Sequence, residues 1–346
     1  MTLKKLYLEL TNKCNLNCSI CYRRSWNEEP TDMSLELFNK IKKEIGGINS
    51  LKSIVLGGIG EPTCAPLIYE AIGALGHYHL TLTTNAMDMN DELLDLIVRR
   101  VNLVMVSIDG LHENFSKIRT ANLDAVIENM NRINRLKENA AKSSPFVGIQ
   151  FVLSRDNADD ISRMIDLAAD VKAHLLVLSN LLPQTKENAE KILYTRYENR
   201  HGKLLFDKAL KYSFKKGIKL VLPNFELKTE RRCSFVEDGA AFIDAWGEMV
   251  PCYRLSHTYK EYVFDREKTV IKNSFGSLHE NHLISIWESS RYSHFRSVVR
   301  NNRYPSCIDC DYVEGCDLVK DTYYDCYTQS PSCADCLWAR KYIICP

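Results

Sequence analysis

TNKCNLNCSICY, residues Thr11 to Tyr22, follows a strand-like run, Lys5 to Leu10, and places three thiols at Cys14, Cys18 and Cys21. Three thiolates this close bind a soft or borderline metal well, but a closed structural zinc site takes four ligands and a [4Fe–4S] cubane has four irons. A loop this short does not easily supply a fourth ligand. The simplest reading is a cubane with one iron open to a small molecule. A structural zinc knuckle, or three reduced thiols, is the alternative for the loop alone.

Outward from this loop, strand-like runs alternate with helical patterns as far as about residue 222, the signature of parallel βα units. A first helix is predicted near Met33 to Ile45, with Leu37, Ile41 and Ile45 on one face. A second strand, Ser53 to Leu56, runs into GGIGEP from Gly57 to Pro62, where glycines let the backbone approach a ligand and Glu61 supplies a carboxylate. The third strand, His79 to Thr83, ends in Thr84 and Asn85, and Asn90 is placed to cap the next helix. Strand four, Leu103 to Ser107, leads into Asp109 and Arg119. Strands five, Val147 to Leu153, and six, Leu175 to Leu178, follow, the latter ending in Ser179 and Asn180. The helical region Glu187 to Lys216 and the run Ile218 to Leu222 complete or flank the barrel.

From Cys233 onward the composition changes. Nine of the thirteen cysteines stand at 233, 252, 307, 310, 316, 326, 333, 336 and 345. Cys307/Cys310 and Cys333/Cys336 have the spacing of chelating turns, and the set holds enough thiolates for two four-ligand clusters with one to spare. Zinc ribbons are the alternative. Tyr253 and Arg254, after Cys252, read as a packed tyrosine and a surface arginine, and Cys64 as a buried or idle thiol.

The cysteine loop, with apolar Ile20 before its last cysteine, resembles that of the radical S-adenosylmethionine (SAM) superfamily. That resemblance implies a partial (β/α)6 TIM-like barrel of α/β class, with SAM chelating the open iron of a [4Fe–4S] cluster and yielding a 5′-deoxyadenosyl radical. GGIGEP resembles the superfamily's glycine-rich element, lengthened by Ile59 and Gly60, and Ser107, Asp109 and Arg119 resemble its polar set around SAM. The implied SAM contacts are Gly57, Gly58, Gly60, Glu61, Thr84, Asn85, Ser107, Asp109, Arg119 and Asn180. Cys233, Gly247 and Cys252, followed by Cys307, Cys310 and Cys316, resemble the SPASM extension of radical SAM maturases. This implies one or two auxiliary [4Fe–4S] clusters with ligands among Cys233, Cys252, Cys307, Cys310, Cys316, Cys326, Cys333, Cys336 and Cys345. The sequence departs from that pattern at Lys320, where a cysteine is expected and Cys326 is the nearest replacement.

KKLYLELTNKCNLNCSICYRRSW, VLGGIGEP, LVLSNLLP and SPSCADCLWARKYIICP further resemble maturases associated with tungsten-cofactor oxidoreductases. The substrate implied is a pterin cofactor, protein or peptide, in maturation of a tungsten oxidoreductase, with ferredoxin or flavodoxin as low-potential electron donor. A peptide-modifying SPASM maturase is the alternative. An iron–sulfur electron carrier or a zinc-binding interaction module explains less of the chain. The expected division is a barrel over 1–225 and a SPASM-like cluster domain over 226–346.

Composition narrows the partners. Over 346 residues, Lys plus Arg (45) nearly balance Asp plus Glu (44) for a net +1, so neither nucleic acid nor an anionic membrane is expected as the main partner. No window approaches ~18 consecutive apolar residues, and Met1 is followed by Lys4, Lys5 and a strand rather than a signal-peptide core, so the protein is expected in the cytoplasm. In that reducing compartment Cys-x2-Cys spacings favour metal ligation over disulfides.

Overall fold

The computed structural model describes residues 1–345. Strands β1 (Lys5–Leu8), β2 (Ser53–Leu56), β3 (His79–Thr84), β4 (Leu103–Ser107), β5 (Phe146–Leu153), β6 (Leu175–Asn180) and β7 (Lys219–Val221) lie side by side in chain order, all parallel. Helices Leu35–Ile45, Ile68–Leu75, Asp91–Arg100, Leu123–Asn139, Ile161–Asp170 and Arg200–Lys216 occupy the crossovers, as parallel pairing requires. The result is the expected α/β partial barrel. Among the described residues no helix is long and apolar enough to cross a membrane.

Alternation along the strands separates two faces. Leu6, Leu8, Ile54, Leu56, Leu80, Leu82, Val104, Val106, Ile149, Phe151, Leu176 and Leu178 join the large core with helix residues such as Leu37, Phe38, Ile41 and Ile45. Each such buried side chain contributes roughly 1.5–3 kcal/mol, which makes this layer the main stabiliser of the barrel. Tyr7, Val55 and Phe242 form a second core on the opposite face. The predicted Asn90 cap is present, its Oδ1 accepting from Leu93 N at 2.9 Å. Of the predicted helical region Glu187 to Lys216, only Lys186–Ala189 and Arg200–Lys216 are helical. Asn199 starts the longer helix by accepting from Gly202 N at 2.8 Å.

The sheet does not stop at residue 225. Strand β8 (Ala240–Ile243) pairs in parallel with the free edge of β1, Lys5 opposite Ala240 and Leu8 opposite Ile243. Strand β9 (Glu248–Val250) returns antiparallel after Gly247, whose φ of 84° favours glycine. A separate hairpin, β10 (Tyr259–Val263) and β11 (Arg266–Val270), follows, and β12 (Gly276–Ser277) closes the edge against β9. The cysteine-rich region is therefore built onto the barrel wall through β8.

Candidate active site

The loop carrying Cys14, Cys18 and Cys21 leaves the C-terminal end of β1 and is held by its own polar residues. Thr11 Oγ1 donates to Asp32 Oδ1 at 2.6 Å, Asn12 bonds Glu29 O and Thr31 N, and Ser19 N donates to Ile118 O at 2.8 Å. All three thiols line one cavity of about 240 Å³. Burial raises the Cys14 and Cys21 thiols and takes Cys18 to about 11, although Arg119 opposes the shift at Cys18. A metal that binds there must displace those protons.

The glycine-rich turn lies against this loop. A Cβ on Gly60 would stand 2.3 Å from Thr11 O and 2.6 Å from Lys13 O, and one on Gly58 2.4 Å from Glu9 Oε1; only glycine permits this approach. Glu61 N donates to Lys13 O at 2.8 Å. Its buried carboxylate accepts from Thr63 N and Oγ1, from Thr84 Oγ1 at 2.6 Å and from Asn85 N at 2.7 Å. Burial raises the Glu61 pKa against these bonds. Glu61 thus clamps the turn to the end of β3.

Gly58, Gly60, Glu61, Thr84, Asn85, Ser107, Arg119 and Asn180 all line the cavity with the cysteines, whereas Gly57 and Asp109 do not. Asp109 is fully buried; Oδ1 accepts from Val152 N at 2.7 Å and Oδ2 from Arg119 Nε at 2.6 Å, so it positions Arg119 from behind. Asn180 Nδ2 donates to Asn224 O and Tyr342 O at 2.8 and 2.9 Å, holding the end of the chain.

That end is the wall sequence patterns missed. Ile344 N donates to Ser179 Oγ at 3.0 Å and Ile344 O accepts from Gln150 Nε2 at 3.3 Å, which lays Ile343, Ile344 and Cys345 along the cavity. Tyr253 and Gln150 line it as well. The Cys345 Sγ accepts from Trp338 Nε1 at 3.0 Å and has Lys5, Tyr7 and Cys336 as charged or polar neighbours. The loop thiols instead interact with one another.

The other tail thiols form two groups. Cys233, Cys252, Cys333 and Cys336 interact mutually. Cys307, Cys310 and Cys316 pack together with Val313 and Val319, and Cys326 interacts with them from the surface. Among the described residues no three ligand side chains close on a single-ion site, and cubane ligands need not, because each binds its own iron. Cysteine-only sets of three and four fit [4Fe–4S] cubanes in donor chemistry. Arg254 corrects the sequence reading: it is 2% exposed rather than on the surface. Cys64 is half-buried near Asn15, Glu61 and Cys14, outside the cavity lining.

Behind the glycine turn lies a second polar group without a sequence signature. Glu9 Oε1 accepts from Ile59 N at 2.7 Å, while Oε2 faces His257 Nε2 at 3.5 Å; His257 Nδ1 meets Glu28 Oε2 at 2.6 Å. Burial alone would lower the His257 pKa, but Glu9 and Glu28 outweigh it and raise it to about 9. An imidazole with a raised folded pKa stabilises the fold fully below its ordinary 6.5 and loses that contribution as the pH rises through about 9. The protein is expected to lose ~3 kcal/mol of stability across this window, and His257→Gln to show a flatter profile. Anaerobic denaturant titrations at about pH 6 and about pH 9.5 check this, and parallel profiles for both proteins would exclude the ion pairs as its source.

Comparison with known proteins agrees with this geometry. The Radical SAM superfamily profile matches residues 8–168, and SPASM, an iron–sulfur cluster-binding domain, matches 233–311. The "Tungsten-containing aldehyde ferredoxin oxidoreductase cofactor-modifying protein" of Pyrococcus furiosus is 37% identical over 352 residues, covering 99% of this chain and 97% of the relative. Two solved structures share the fold. Streptococcus suis SuiB bound to S-adenosylmethionine has a TM-score of 0.63 at 16% identity over 91% of this chain and 72% of its own. Native anSMEcpe with bound AdoMet has a TM-score of 0.60 at 17% identity over 98% and 94%. The chain belongs to the radical SAM superfamily, in the branch that carries a SPASM cluster-binding domain.

Proposed function

We propose that this radical SAM enzyme modifies the tungsten-pterin cofactor of an aldehyde ferredoxin oxidoreductase, or a protein or peptide component of that enzyme, in the cytoplasm. The observation that carries the reading is the 37% identity to the Pyrococcus furiosus cofactor-modifying protein over 99% of this chain, a span that takes in the barrel and the cysteine-rich tail. When bound, the cluster and SAM supply an electron and a 5′-deoxyadenosyl radical that removes one substrate hydrogen. The chain's part is positional. Cys14, Cys18 and Cys21 would hold the cluster; Arg119, fixed by Asp109, would present positive charge to the SAM carboxylate and Ser107 a hydroxyl, while Thr84 and Asn85, whose polar groups are engaged by Glu61, Asn15 and Met87, shape the wall. Leu16, Ile20, Leu181, Leu182, Ile343 and Ile344 form apolar walls that keep water from the reacting carbon. Ferredoxin or flavodoxin is the electron donor in this reading.

The test is coexpression. The oxidoreductase is expected to be inactive when made alone, active when made with this protein, and inactive when made with the variant lacking Cys14, Cys18 and Cys21. Equal activity and equal cofactor mass in all three would remove the tungsten assignment. Peptide modification would then lead, since the fold is shared with SuiB, solved with its precursor peptide SuiA.

A further inference from the structure

Beside the two groups of tail thiols lies a buried ion-pair network that the SAM cavity does not use. Arg254, Glu261, Lys268 and Asp335 are each at most 2% exposed. Arg254 Nε donates to both Glu261 oxygens at 3.1 and 3.3 Å, and Nη2 closes on Glu261 and donates to Asp335 Oδ1 at 3.1 Å. Asp335 Oδ2 accepts from Lys268 Nζ at 2.9 Å and from Arg266 Nη2 at 3.2 Å. Three cations thus face two carboxylates, leaving one positive charge uncompensated within the network. Arg254 Nη1 and Arg266 Nε are moreover buried with no acceptor on the protein.

Such groups are expensive. An unpaired buried charge costs several kcal/mol and an unmet donor about 1–3 kcal/mol, so this surplus positive charge favours a negative charge beside it. The neighbours say where it belongs. Arg254 follows Cys252 by two residues and acts electrostatically on Cys252, Cys333 and Cys336. Asp335 stands between Cys333 and Cys336 in the chain. Lys268 and Arg266 act on Cys307, in the other group. A cubane held by four thiolates carries net negative charge, and that charge with its surroundings sets its reduction potential.

We propose that Arg254 is the counter-charge of the cluster held by Cys233, Cys252, Cys333 and Cys336 and raises its reduction potential, with Asp335 linking it to Lys268 and Arg266 beside the second cysteine group. The proposal rests on the reading of the tail cysteines as auxiliary-cluster ligands. A nearby positive charge favours the more negative, reduced state, so removing it lowers the potential, and removing the Glu261 charge raises it.

Holoproteins carrying R254M, R254K or E261Q are reconstituted anaerobically, their iron is counted, and auxiliary-cluster potentials are measured by redox titration followed by electron paramagnetic resonance. With full iron, R254M is expected to shift one auxiliary signal to more negative potential, R254K to stay near wild type, and E261Q to shift the same signal the opposite way. Cluster loss in R254M that R254K restores also supports the charge requirement. The isosteric E261Q keeps the test decisive if R254M fails to fold: an unmoved potential in E261Q overturns the proposal, as do unchanged potentials in R254M with full iron. Absence of tail iron in the wild type overturns instead the cluster reading beneath it.

Discussion

Replacing Cys14, Cys18 and Cys21 together with Ala is expected to abolish 5′-deoxyadenosine formation from SAM under anaerobic reduction and to remove about four of the roughly twelve irons of a three-cubane protein. The loss should be local. The loop is fixed by Thr11 to Asp32, Asn12 to Glu29 and Thr31, and Ser19 to Ile118, none of which involves a thiol. Glu61 holds the facing turn to Thr84 and Asn85 by its own carboxylate. The variant therefore keeps its fold and its tail iron while losing the metal that opens onto the cavity. Undiminished 5′-deoxyadenosine would falsify the assignment of the loop. Loss of all iron would mean that the three sites load cooperatively rather than independently.

What could be read in the sequence was what short spacings encode. Three cysteines within eight residues, the glycines of GGIGEP clustered in one turn, and the two-residue rhythm of Leu6, Leu8 against Tyr7 each depend on near neighbours, whereas the backbone that Gly60 approaches, Thr11 and Lys13, lies far back in the chain. Gln150 is also legible in principle: it interrupts FVGIQFVL in phase with Gly148 and Val152, the face opposite Ile149 and Phe151. Distant pairings carried no such signal. Ser179 meets Ile344 165 residues on, so nothing local shows that the tail crosses the barrel mouth. Arg254 reads as a surface residue because Glu261, seven residues on, gives no signal of burial and its second partner Asp335 lies 81 residues away; only the folded tail makes a buried guanidinium tolerable. Asp109 was recognised by its order along the chain, but order does not reveal that it faces Val152 and the back of Arg119 instead of the cavity.

The tail thiols make the other large prediction, because their grouping states which substitution removes which cluster. Replacing Cys333 and Cys336 with Ser is expected to remove about four irons while leaving the set around Cys307, and replacing Cys307 and Cys310 is expected to remove a different four. Cys345→Ala should retain about twelve, since Cys345 is a fifth thiol beside the four-cysteine set whose Cys336 it neighbours, and its Sγ accepts from Trp338 Nε1. Cys326 is the critical member: it is exposed, it stands six residues past the position where the SPASM pattern expects a cysteine, and it completes a second set of four only by reaching Cys310 and Cys316 from the surface. If Cys326→Ser costs no iron, the set around Cys307 holds its cluster through three thiolates; if Cys345→Ala costs about four, Cys345 is a ligand of the cluster beside its neighbour Cys336, which then borders the cavity. Zinc in place of iron throughout the tail would remove the auxiliary clusters while leaving the loop cluster intact. Iron analysis with electron paramagnetic resonance on each variant separates these cases, because the two cysteine groups differ in exposure and so give clusters of different potential.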